Sequence, residues 1–539
     1  MPCSFAVLLA AGCGPKDGSD LDGTTGADGT GGTSTIADGD GGIPLSVNRD
    51  VDVLLVIDNS SSMGEEQALL AAALESLVGV LERPDVGANY RIGITTTDDG
   101  NPWCDGTTPE AGALRLTSCR SRPAEFVFDG AETTDVTQEA CFDLCPEQWT
   151  DIEILPTALT PGQEAAPRNW LESVEGLTNL PEGLTVAQAL RCLAPQGIDG
   201  CGFESPLESM WKALRRSTTE DDADFGFVRA GAVLSVVHVT DEVDCSYNDD
   251  WESIFLPTGN RVFWSDDTAP APTSAVCWNA GVLCSGSGTY DACASANFDV
   301  DGAEVGDADA PELAVLRPLS RYVDLLQELE NAKQQLIPDQ EVLVAVLGGV
   351  GADGTVTYQD SDSTFQSDFG IGPGCVGSNG SAVPPVRLRE LAEAFQVGDE
   401  RNLFSICDDD YRPALEAIAE SIAARLLPAC MPACVADTDP TTPEVVDPQC
   451  TLIQHTPLDD GTVEEISVPP CSGGAVPEGE DVCYQTRVGA ALSPFCAEQG
   501  FNLEFQLIHR PGEPTPPGSV IVPSCTLSQD KAVDCPLLP

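Results

Sequence analysis

Apolar positions of two different spacings follow one another from residue 53 onward. Residues 53–57 are all apolar, which is typical of a parallel strand covered on both faces. Residues 65–83 carry leucines at helical spacing, and residues 90–97 have the pattern of a second strand. This order of strand, helix and strand predicts a βαβ unit. The loop after the first strand then lies at the carboxyl edge of the sheet, where open α/β sheets bind ligands.

The same two patterns recur further along the chain. Apolar runs predict strands at residues 232–239, 342–347 and 403–406. Helical spacing predicts helices that begin near Glu208, Ser320 and Pro413. The fold class that these elements predict is α/β, with a doubly wound and mostly parallel central sheet over residues 48–428.

The composition is strongly acidic. Lys and Arg number 25 against 87 Asp and Glu, which gives a formal net charge of -62 at pH 7. Because phosphate groups bind clustered basic side chains, this balance excludes nucleic acid as a partner and disfavours anionic lipid surfaces. Such a chain offers little attraction to an acidic ligand unless a bound cation supplies it.

The chain has 22 cysteines and only three histidines, which favours disulfides over zinc sites and therefore export to an oxidising compartment. Two cysteines lie in the first 13 residues, twelve in residues 104–407 and eight in residues 430–535. These even numbers predict two separately cross-linked units, the second a small β-rich module over residues 429–539. The local pairs to test first are Cys104 with Cys119, Cys141 with Cys145, and Cys192 with Cys201.

The first 13 residues have the pattern of an export signal, because a short apolar run ends in small residues before Cys13. Residues 9–13 resemble a bacterial lipobox, in which the cysteine is lipidated and becomes the new N-terminus. The segment departs from that pattern because no Lys or Arg precedes the run and Ala10 stands where Leu is commoner. An ordinary cleaved signal peptide is the alternative. Residues 14–47 predict a flexible Gly- and Asp-rich tether, so membrane attachment is expected only through a lipidated Cys13.

Two of the predicted strands end in oxygen-rich motifs. Asp58-x-Ser60-x-Ser62 follows the first strand, and Thr240-Asp241 follows a later one. This pair of motifs resembles the metal-ion-dependent adhesion site of von Willebrand factor A (VWA) domains. The carboxyl ends of parallel strands meet at one edge of a sheet, so both motifs are expected side by side.

The resemblance implies a divalent cation, with Mg²⁺ as the first choice and Mn²⁺ or Ca²⁺ as alternatives. By the resemblance, the hydroxyls of Ser60 and Ser62 contact the metal directly, whereas Asp58 and Asp241 supply charge or act through water. It also implies an open coordination position that a carboxylate of a partner protein fills. Neither a catalytic residue nor an organic cofactor is expected.

A third loop provides one further ligand in VWA domains. Ser205 is the candidate, because Ser205-Pro206-Leu207 resembles the Thr-Pro-Leu of the family and precedes a helix. Thr185 is the rival, although it could simply cap a helix. Glu204 could add a carboxylate that shifts the site toward Ca²⁺ or Mn²⁺, or it could be a surface acid.

The predicted VWA domain is long for its family, and the excess lies in insertions at residues 99–180 and 246–312. Both insertions are rich in Cys, Gly, Pro and Asp and leave the carboxyl edge of the sheet. They are therefore expected to form disulfide-linked loops around the metal that determine specificity. Residues 101–104 followed by 118–122 resemble a group of cysteine-rich VWA lipoproteins predicted in myxobacteria and their relatives.

The predicted function is that of an adhesion-type lipoprotein at the outer membrane or cell surface, which binds a protein ligand through its metal. Two alternatives stay open: a structural envelope protein whose metal only stabilises the fold, and a hydrolase. The chain contains no nucleophile elbow, phosphate loop or HExxH sequence, so it is not expected to be an enzyme. His238 could serve a serine, but its place inside an apolar strand favours a core histidine.

Overall fold

The computed structural model describes residues 45–539 apart from a set of single positions and short segments. These exceptions are residues 47, 85, 105, 131–132, 160–163, 338–339, 362–363, 379, 427, 440, 442–445, 458–462, 511–518, 537 and 539. The predicted export signal, Cys13 and the predicted tether up to residue 44 lie outside the described residues. Within the described part, no helix combines the length and the apolar character that a bilayer crossing requires.

The centre of the fold is a seven-stranded sheet. In chain order its strands are β1 (Asp50–Ile57), β2 (Asn89–Thr96), β3 (Trp170–Val174), β4 (Leu177–Thr178), β5 (Val233–Val239), β6 (Val342–Gly348) and β7 (Leu403–Ser405). Their order in space is β7-β6-β5-β1-β2-β3-β4. The strands from β7 to β2 are parallel, whereas β3 and β4 pair antiparallel at one side. The α/β class with a mostly parallel central sheet is therefore confirmed.

Helices cover both faces of this sheet. They are α1 (Gly64–Leu81), α2 (Val186–Leu193), α3 (Pro206–Ser217), α4 (Ser320–Leu336), α5 (Val386–Ala394) and α6 (Arg412–Ala423). Successive residues of β1 point to opposite faces. Val53, Leu55 and Ile57 pack with α1, α2 and α6, whereas Leu54 and Val56 pack with α3, α4 and α5. Both faces of β1 are thus buried, as its continuous apolar run predicts.

Shorter elements fill the segments between these strands and helices. They are the paired strands Val127–Asp129 and Thr133–Asp135, Val282–Ser287 and Thr289–Ser295, and Cys375–Val376 and Ser381–Ala382, the helices Ala275–Gly281, Ala310–Leu313 and Thr364–Phe369, and the 3₁₀ or π turns Cys119–Ser121, Pro123–Phe126, Gln138–Phe142, Glu147–Trp149 and Asp249–Phe255. Both β3 and β4 lie within the first predicted insertion at residues 99–180, so that segment also completes the sheet.

The direction in which the chain fills the sheet reverses at β1. From β1 the chain adds β2, β3 and β4 on one side, and it then crosses over to add β5, β6 and β7 on the other. The carboxyl ends of β1 and β5 lie side by side, because the amide of Asp58 donates to the carbonyl oxygen of Val239 at 2.9 Å. Ligands of doubly wound folds bind at such a switch point.

Six disulfides cross-link this part of the chain. They join Cys104 to Cys201, Cys119 to Cys141, Cys145 to Cys192, Cys245 to Cys277, Cys284 to Cys293, and Cys375 to Cys407. The predicted local pairs 104–119, 141–145 and 192–201 are therefore wrong. Closeness in space decides the pairing: the amide of Cys201 donates to Oδ2 of Asp98 at 3.2 Å, beyond the end of β2, and this places Cys201 beside Cys104.

The segment after α6 folds, together with residues 45–46, into two small sheets around a core of its own. One sheet has the order Leu45–Ser46, Val520–Cys525, Cys450–Pro457, Val463–Val468, and the other has the order Ala429–Cys430, Glu504–His509, Val482–Arg487. Short helices lie at Pro494–Glu498 and Lys531–Asp534, with a 3₁₀ turn at Gly489–Ala491. We call these two sheets and their helices the C-terminal module.

Four disulfides cross-link the C-terminal module. They join Cys430 to Cys496, Cys434 to Cys535, Cys450 to Cys525, and Cys471 to Cys483. No disulfide among the described residues crosses from this set to the earlier one, which is the division into twelve and eight that the even counts predict.

The start of the described chain belongs to this module as well. Leu45 and Ser46, at the end of the predicted tether, pair antiparallel with Ile521 and Val520 and form an edge strand of the four-stranded sheet. The chain therefore passes through the C-terminal module before it enters β1.

Candidate functional site

Asp58 is fully buried at the end of β1, and hydrogen bonds hold both of its carboxylate oxygens. Its Oδ1 accepts from the amide of Ser60 at 2.8 Å, and its Oδ2 accepts from the hydroxyl of Thr240 at 2.6 Å. The side-chain amide of Gln67, on α1, donates to the carbonyl oxygen of Asp58 at 2.8 Å. These contacts fix the loop after β1 against both α1 and the end of β5.

The hydroxyls of Ser60 and Ser62 lie 3.2 Å apart on this loop. Ser60 is buried and Ser62 is exposed. Ser62 also forms a side-chain hydrogen bond with Asp241, across the gap between the two strand ends. Oδ1 of Asp241, a candidate metal ligand, is buried and has no hydrogen-bond partner among the described residues. The structure therefore brings Asp58, Ser60, Ser62 and Asp241 together at one edge of the sheet.

The third loop places Ser205 and Glu204 differently. Ser205 is buried, and its hydroxyl donates to the carbonyl oxygen of Cys245 at 3.0 Å. Glu204 is also fully buried, and the hydroxyl of Thr97 donates to its Oε2. The Oε1 atom of Glu204 has no hydrogen-bond partner within the described ranges, and the charge of Asp58 acts on this carboxylate. Of the two neighbours, Glu204 is the one with a carboxylate oxygen that no described group uses.

Thr185 serves as the N-cap of α2. Its hydroxyl accepts from the amide of Gln188 at 3.2 Å, and the Gln188 side chain accepts from the amide of Thr185 at 3.1 Å. This is a capping box, in which both residues satisfy amides that the helix leaves unpaired. The structure thus gives Thr185 the local role of a helix cap.

Two further buried acids stand at the same edge, and sequence reasoning missed both. Glu66 lies in the first turn of α1, is 4% exposed, and its Oε2 is buried without a partner in the part of the chain that the structure describes. Glu242 follows Asp241 and accepts from the hydroxyl of Ser274 at 3.1 Å. A signal for Glu66 existed in the sequence, because it precedes Leu70 by one helical turn and so lies on the buried face of α1.

Burial and mutual repulsion raise the pKa values of these carboxyl groups. Burial raises the pKa of Asp58, and burial together with the charges of Glu65 and Asp58 raises the pKa of Glu66 to about 7. The pKa values of Glu204, Asp241 and Glu242 lie well above their ordinary range, again through burial first and neighbouring acids second. The strongest charge effects at this edge therefore come from other carboxylates.

The donor set at this edge is rich in hydroxyls as well as carboxylates. Among the described residues, no three or more His, Cys, Asp or Glu side chains converge in the way that a shared metal needs. A cation held here would depend on Ser60 and Ser62 for part of its coordination. Hydroxyl and carboxylate oxygens are the ligands of hard cations such as Mg²⁺, Mn²⁺ and Ca²⁺.

His238 is fully buried within β5. Neither of its ring nitrogens has a hydrogen-bond partner among the described residues, and burial lowers its pKa to about 3. The ring is therefore neutral at physiological pH and contacts no serine hydroxyl through a hydrogen bond. This is the environment of a core histidine.

No family model matches the chain, and neither does any curated protein. Among solved structures, the pilus adhesin SpaC from Lactobacillus rhamnosus GG overlaps with the chain at a TM-score of 0.31 and 7% sequence identity, over 90% of this chain and 40% of that one. The pilus adhesin RrgA from Streptococcus pneumoniae overlaps at a TM-score of 0.26 and 10% identity, over 90% of this chain and 58% of that one. The chain thus spans between 40% and 58% of the length of these adhesins, and overlaps this weak assign neither a fold family nor a ligand.

Proposed function

We propose that this chain is a VWA-type surface lipoprotein that binds a partner protein through a divalent cation at the ends of β1 and β5. One observation carries the proposal. Asp241, which bonds to Ser62 beside the Ser60 hydroxyl, has a buried carboxylate oxygen without a hydrogen-bond partner among the described residues, and so do Glu204 and Glu66, on which the charge of Asp58 acts. Buried charges of one sign are costly unless an opposite charge is present, and a cation is the opposite charge that fits an oxygen-lined site.

The residues present fit such an ion. Ser60 and Ser62 would contact it through their hydroxyls, and Asp58 and Asp241 would supply charge directly or through water. When bound, the cation neutralises the carboxylates and leaves a coordination position for a carboxylate of the partner. Asp58 orients the loop through its hydrogen bonds to Ser60 and Thr240, so it acts mainly by positioning.

Glu204 fits the role of third-loop ligand better than Ser205 does. The Ser205 hydroxyl already donates to a backbone carbonyl, whereas Glu204 offers a carboxylate oxygen that no described group uses. A further carboxylate favours Ca²⁺ or Mn²⁺ relative to Mg²⁺, because these larger ions accept more charged oxygen ligands. We therefore keep Mg²⁺, Mn²⁺ and Ca²⁺ as the three ions to compare.

The cellular setting of the proposal is the outside of the cell. Ten disulfides fit an oxidising compartment, and the acidic surface disfavours a partner that binds through phosphate groups. Attachment would depend on a lipidated Cys13. The chain would act by binding and not by catalysis, and the metal would supply the attraction for an acidic group that the protein's own charge repels.

Calorimetric titration of the folded, oxidised chain with Mg²⁺, Mn²⁺ and Ca²⁺ tests the proposal. Asp58→Ala and Asp241→Ala should each weaken binding about tenfold or more, and Ser60→Ala and Ser62→Ala should weaken it less. Glu312→Ala, at an exposed position of the second insertion, is the matched control and should bind like the wild type. The proposal is wrong if the wild type binds none of the ions at millimolar concentration, or if Asp58→Ala binds them equally well.

A second measurement separates adhesion from a purely structural metal. Surface proteins are captured on the immobilised chain with and without a chelator, and the captured fraction is compared with that on Asp58→Ala. Adhesion predicts that the chelator and the substitution release the same proteins. A metal that only stabilises the fold predicts lower unfolding temperatures after chelation and no metal-dependent capture.

A further inference from the structure

A groove opens next to the carboxylates at the edge of the sheet. It encloses about 670 Å³, and Gly200, Gly202 and Glu242 line it on the side of the site. The amide of Gly200 donates to the carbonyl oxygen of Asn59, the residue after Asp58, at 3.0 Å. The groove therefore begins where the proposed metal site ends, and a ligand seated at that site would extend into it.

Three separate segments build the remaining walls of the groove. Trp103 and Phe128 come from the first insertion, residues 272–274 come from the second, and Phe369 ends the helix Thr364–Phe369. Trp103 is 40% exposed, so part of its surface is available to a ligand. We call this feature the Trp103 groove.

A disulfide fixes the Trp103 wall to the third loop. Cys104, the residue after Trp103, is bonded to Cys201, which lies between Gly200 and Gly202. Because the same loop contacts Asn59, the wall and the site loop are held at a fixed separation. The groove is thus a built feature with a covalent support, as a preorganised binding site requires.

The charged residues that line the groove are all acids. They are Asp129, Asp199, Glu242 and Asp368. Neither Lys nor Arg lines the groove among the residues that the structure describes, and the formal net charge of the whole chain is -62. A cleft lined by charges of one sign concentrates ions of the opposite sign near its walls.

We propose that the Trp103 groove binds a lysine or arginine side chain of the partner protein. The four-carbon stem of lysine, or the three-carbon stem of arginine, packs against apolar walls while the charged head stays near carboxylates. Aromatic faces such as those of Trp103 and Phe128 attract a cation that lies over them. The lining of the groove combines apolar and aromatic walls with carboxylates. Neither a purely apolar side chain nor an acidic one would use both.

The proposal concerns the same ligand as the metal site. The position of the basic side chain next to a metal-bound carboxylate rests on the proposed function. The preference of the groove for a cation depends only on the groove itself. The partner would then present an acidic and a basic side chain a few residues apart. Such a pair would discriminate against the many acidic surfaces that offer a carboxylate alone.

An array of synthetic hexapeptides tests the proposal. Each peptide holds one aspartate, and a second position, varied in spacing, carries Lys, Arg, norleucine or Glu. The oxidised full-length protein, labelled with a dye, is incubated with the array in the presence of Mg²⁺, Mn²⁺ or Ca²⁺. We expect Lys and Arg peptides to be retained about tenfold better than norleucine peptides, with the preference reduced at high salt.

Matched variants assign the preference to the groove. Asp129→Asn/Asp368→Asn removes two exposed carboxylates from the groove and should abolish the preference for Lys and Arg, and Trp103→Leu should reduce it. Glu304→Gln/Glu312→Gln makes the same change in charge at exposed positions that do not line the groove, and it should leave the preference intact. Because all four acids are exposed, each double variant is expected to fold.

The outcomes separate the two proposals. If norleucine or Glu peptides bind as well as Lys peptides, if no peptide is retained, or if the groove double variant keeps the preference, the groove does not bind a cationic side chain. If a chelator and Asp58→Ala change neither the total retention of the peptides nor the Lys preference, the groove proposal stands and the metal proposal fails. If the chelator abolishes all retention while no Lys preference exists, the metal proposal stands alone.

Discussion

The hydroxyl of Thr240 donates a 2.6 Å hydrogen bond to Oδ2 of Asp58, and this contact joins the two strand ends that meet at the switch point of the sheet. Both residues are buried, so the hydroxyl and the carboxylate have little access to water. The same hydroxyl accepts from the amide of Glu242 at 3.1 Å. One side chain thus holds the loops of β1 and β5 in register.

Replacing Thr240 by valine should disturb both loops. The substitution keeps the shape but leaves Asp58 short of a hydrogen bond, so we expect a loss of about 1–3 kcal/mol in the free energy of unfolding. Metal affinity should fall several-fold as the loops lose their alignment. Urea unfolding and calorimetry measure the two effects, and Thr240→Ser, which keeps the hydroxyl, should retain most of both. Equal effects of serine and valine would show that the hydroxyl is not responsible.

Glu204 and Ser205 should respond in opposite ways to substitution. Glu204→Gln replaces a carboxyl whose charged form is disfavoured by burial first and by Asp58 second, so the metal-free protein should become more stable while metal affinity falls. Ser205→Ala removes only the hydrogen bond to Cys245, so stability should fall by about 1 kcal/mol and metal affinity should hardly change. Paired unfolding and titration experiments on the two variants check this. A drop in affinity for Ser205→Ala alone would restore Ser205 as the third-loop ligand.

A buried ion pair at the opposite edge of the sheet should contribute strongly to the free energy of unfolding. Asp52 is fully buried in β1, and its Oδ1 lies 2.8 Å from Nε of Arg229, while the amide of Arg229 donates to its Oδ2 at 2.6 Å. Asp52→Ala leaves the guanidinium with Asp50, at 3.1 Å, as its remaining carboxylate partner, and we expect a loss of about 2–3 kcal/mol.

An exposed pair provides the control for that measurement. Asp410 and Arg412 lie 2.8 Å apart, with side-chain exposures of 45% and 68%. Asp410→Ala should leave the free energy of unfolding almost unchanged, because solvent screens the pair. Similar losses in Asp52→Ala and Asp410→Ala would contradict the assignment of Asp52 and Arg229 as a buried pair.

Lys333 should make the stability of the protein depend on pH above neutrality. Its ammonium group on α4 is buried and donates to the carbonyl oxygens of Arg229 and Ala232 at 2.7 and 2.9 Å. Burial lowers its pKa from 10.5 to about 8, against the opposing effect of Asp52. Between these two values the unfolded chain binds the proton that the folded chain has lost, so stability should rise with pH from about 8 to 10.5.

Lys333→Met isolates this contribution. The slope approaches about 1.4 kcal/mol per pH unit for a single group, and the variant should lack it. Urea unfolding of the oxidised wild type and of the variant at several pH values gives the difference, in which other titrating groups cancel. A wild-type slope no larger than that of Lys333→Met would mean that the amine keeps an ordinary pKa in the folded protein.

The sequence predicts the five parallel strands of the sheet because their signal is local, but it predicts neither β3 nor β4. Residues 53–57 are apolar without interruption, and the structure buries both faces of β1 there. The motifs after β1 and β5 also meet as expected, since parallel strands bring their carboxyl ends to one edge. A short segment such as β4 carries no comparable pattern, because two residues show no periodicity.

The parts that the sequence does not predict depend on contacts between distant segments. The hydrogen-bond partners of Glu204 and Ser205 are Thr97 and Cys245, which lie far from them in the sequence. The sequence does not single out Glu66, because the leucines of α1 carry the helical periodicity and the acids do not. Disulfide pairing likewise follows the approach of loops in space, which is why Cys104 reaches Cys201 and not its sequence neighbour Cys119.

The edge strand Leu45–Ser46 has a mechanical consequence. If the chain is anchored through the segment that precedes it, tension between the anchor and a ligand held at the carboxyl end of β1 passes first through the pairing of Leu45 and Ser46 with Ile521 and Val520. That pairing is two residues long, whereas β1 pairs with β2 along eight residues. Under load the two-residue pairing would separate before the eight-residue one, which would lengthen the connection to the anchor while the ends of β1 and β5 keep their geometry.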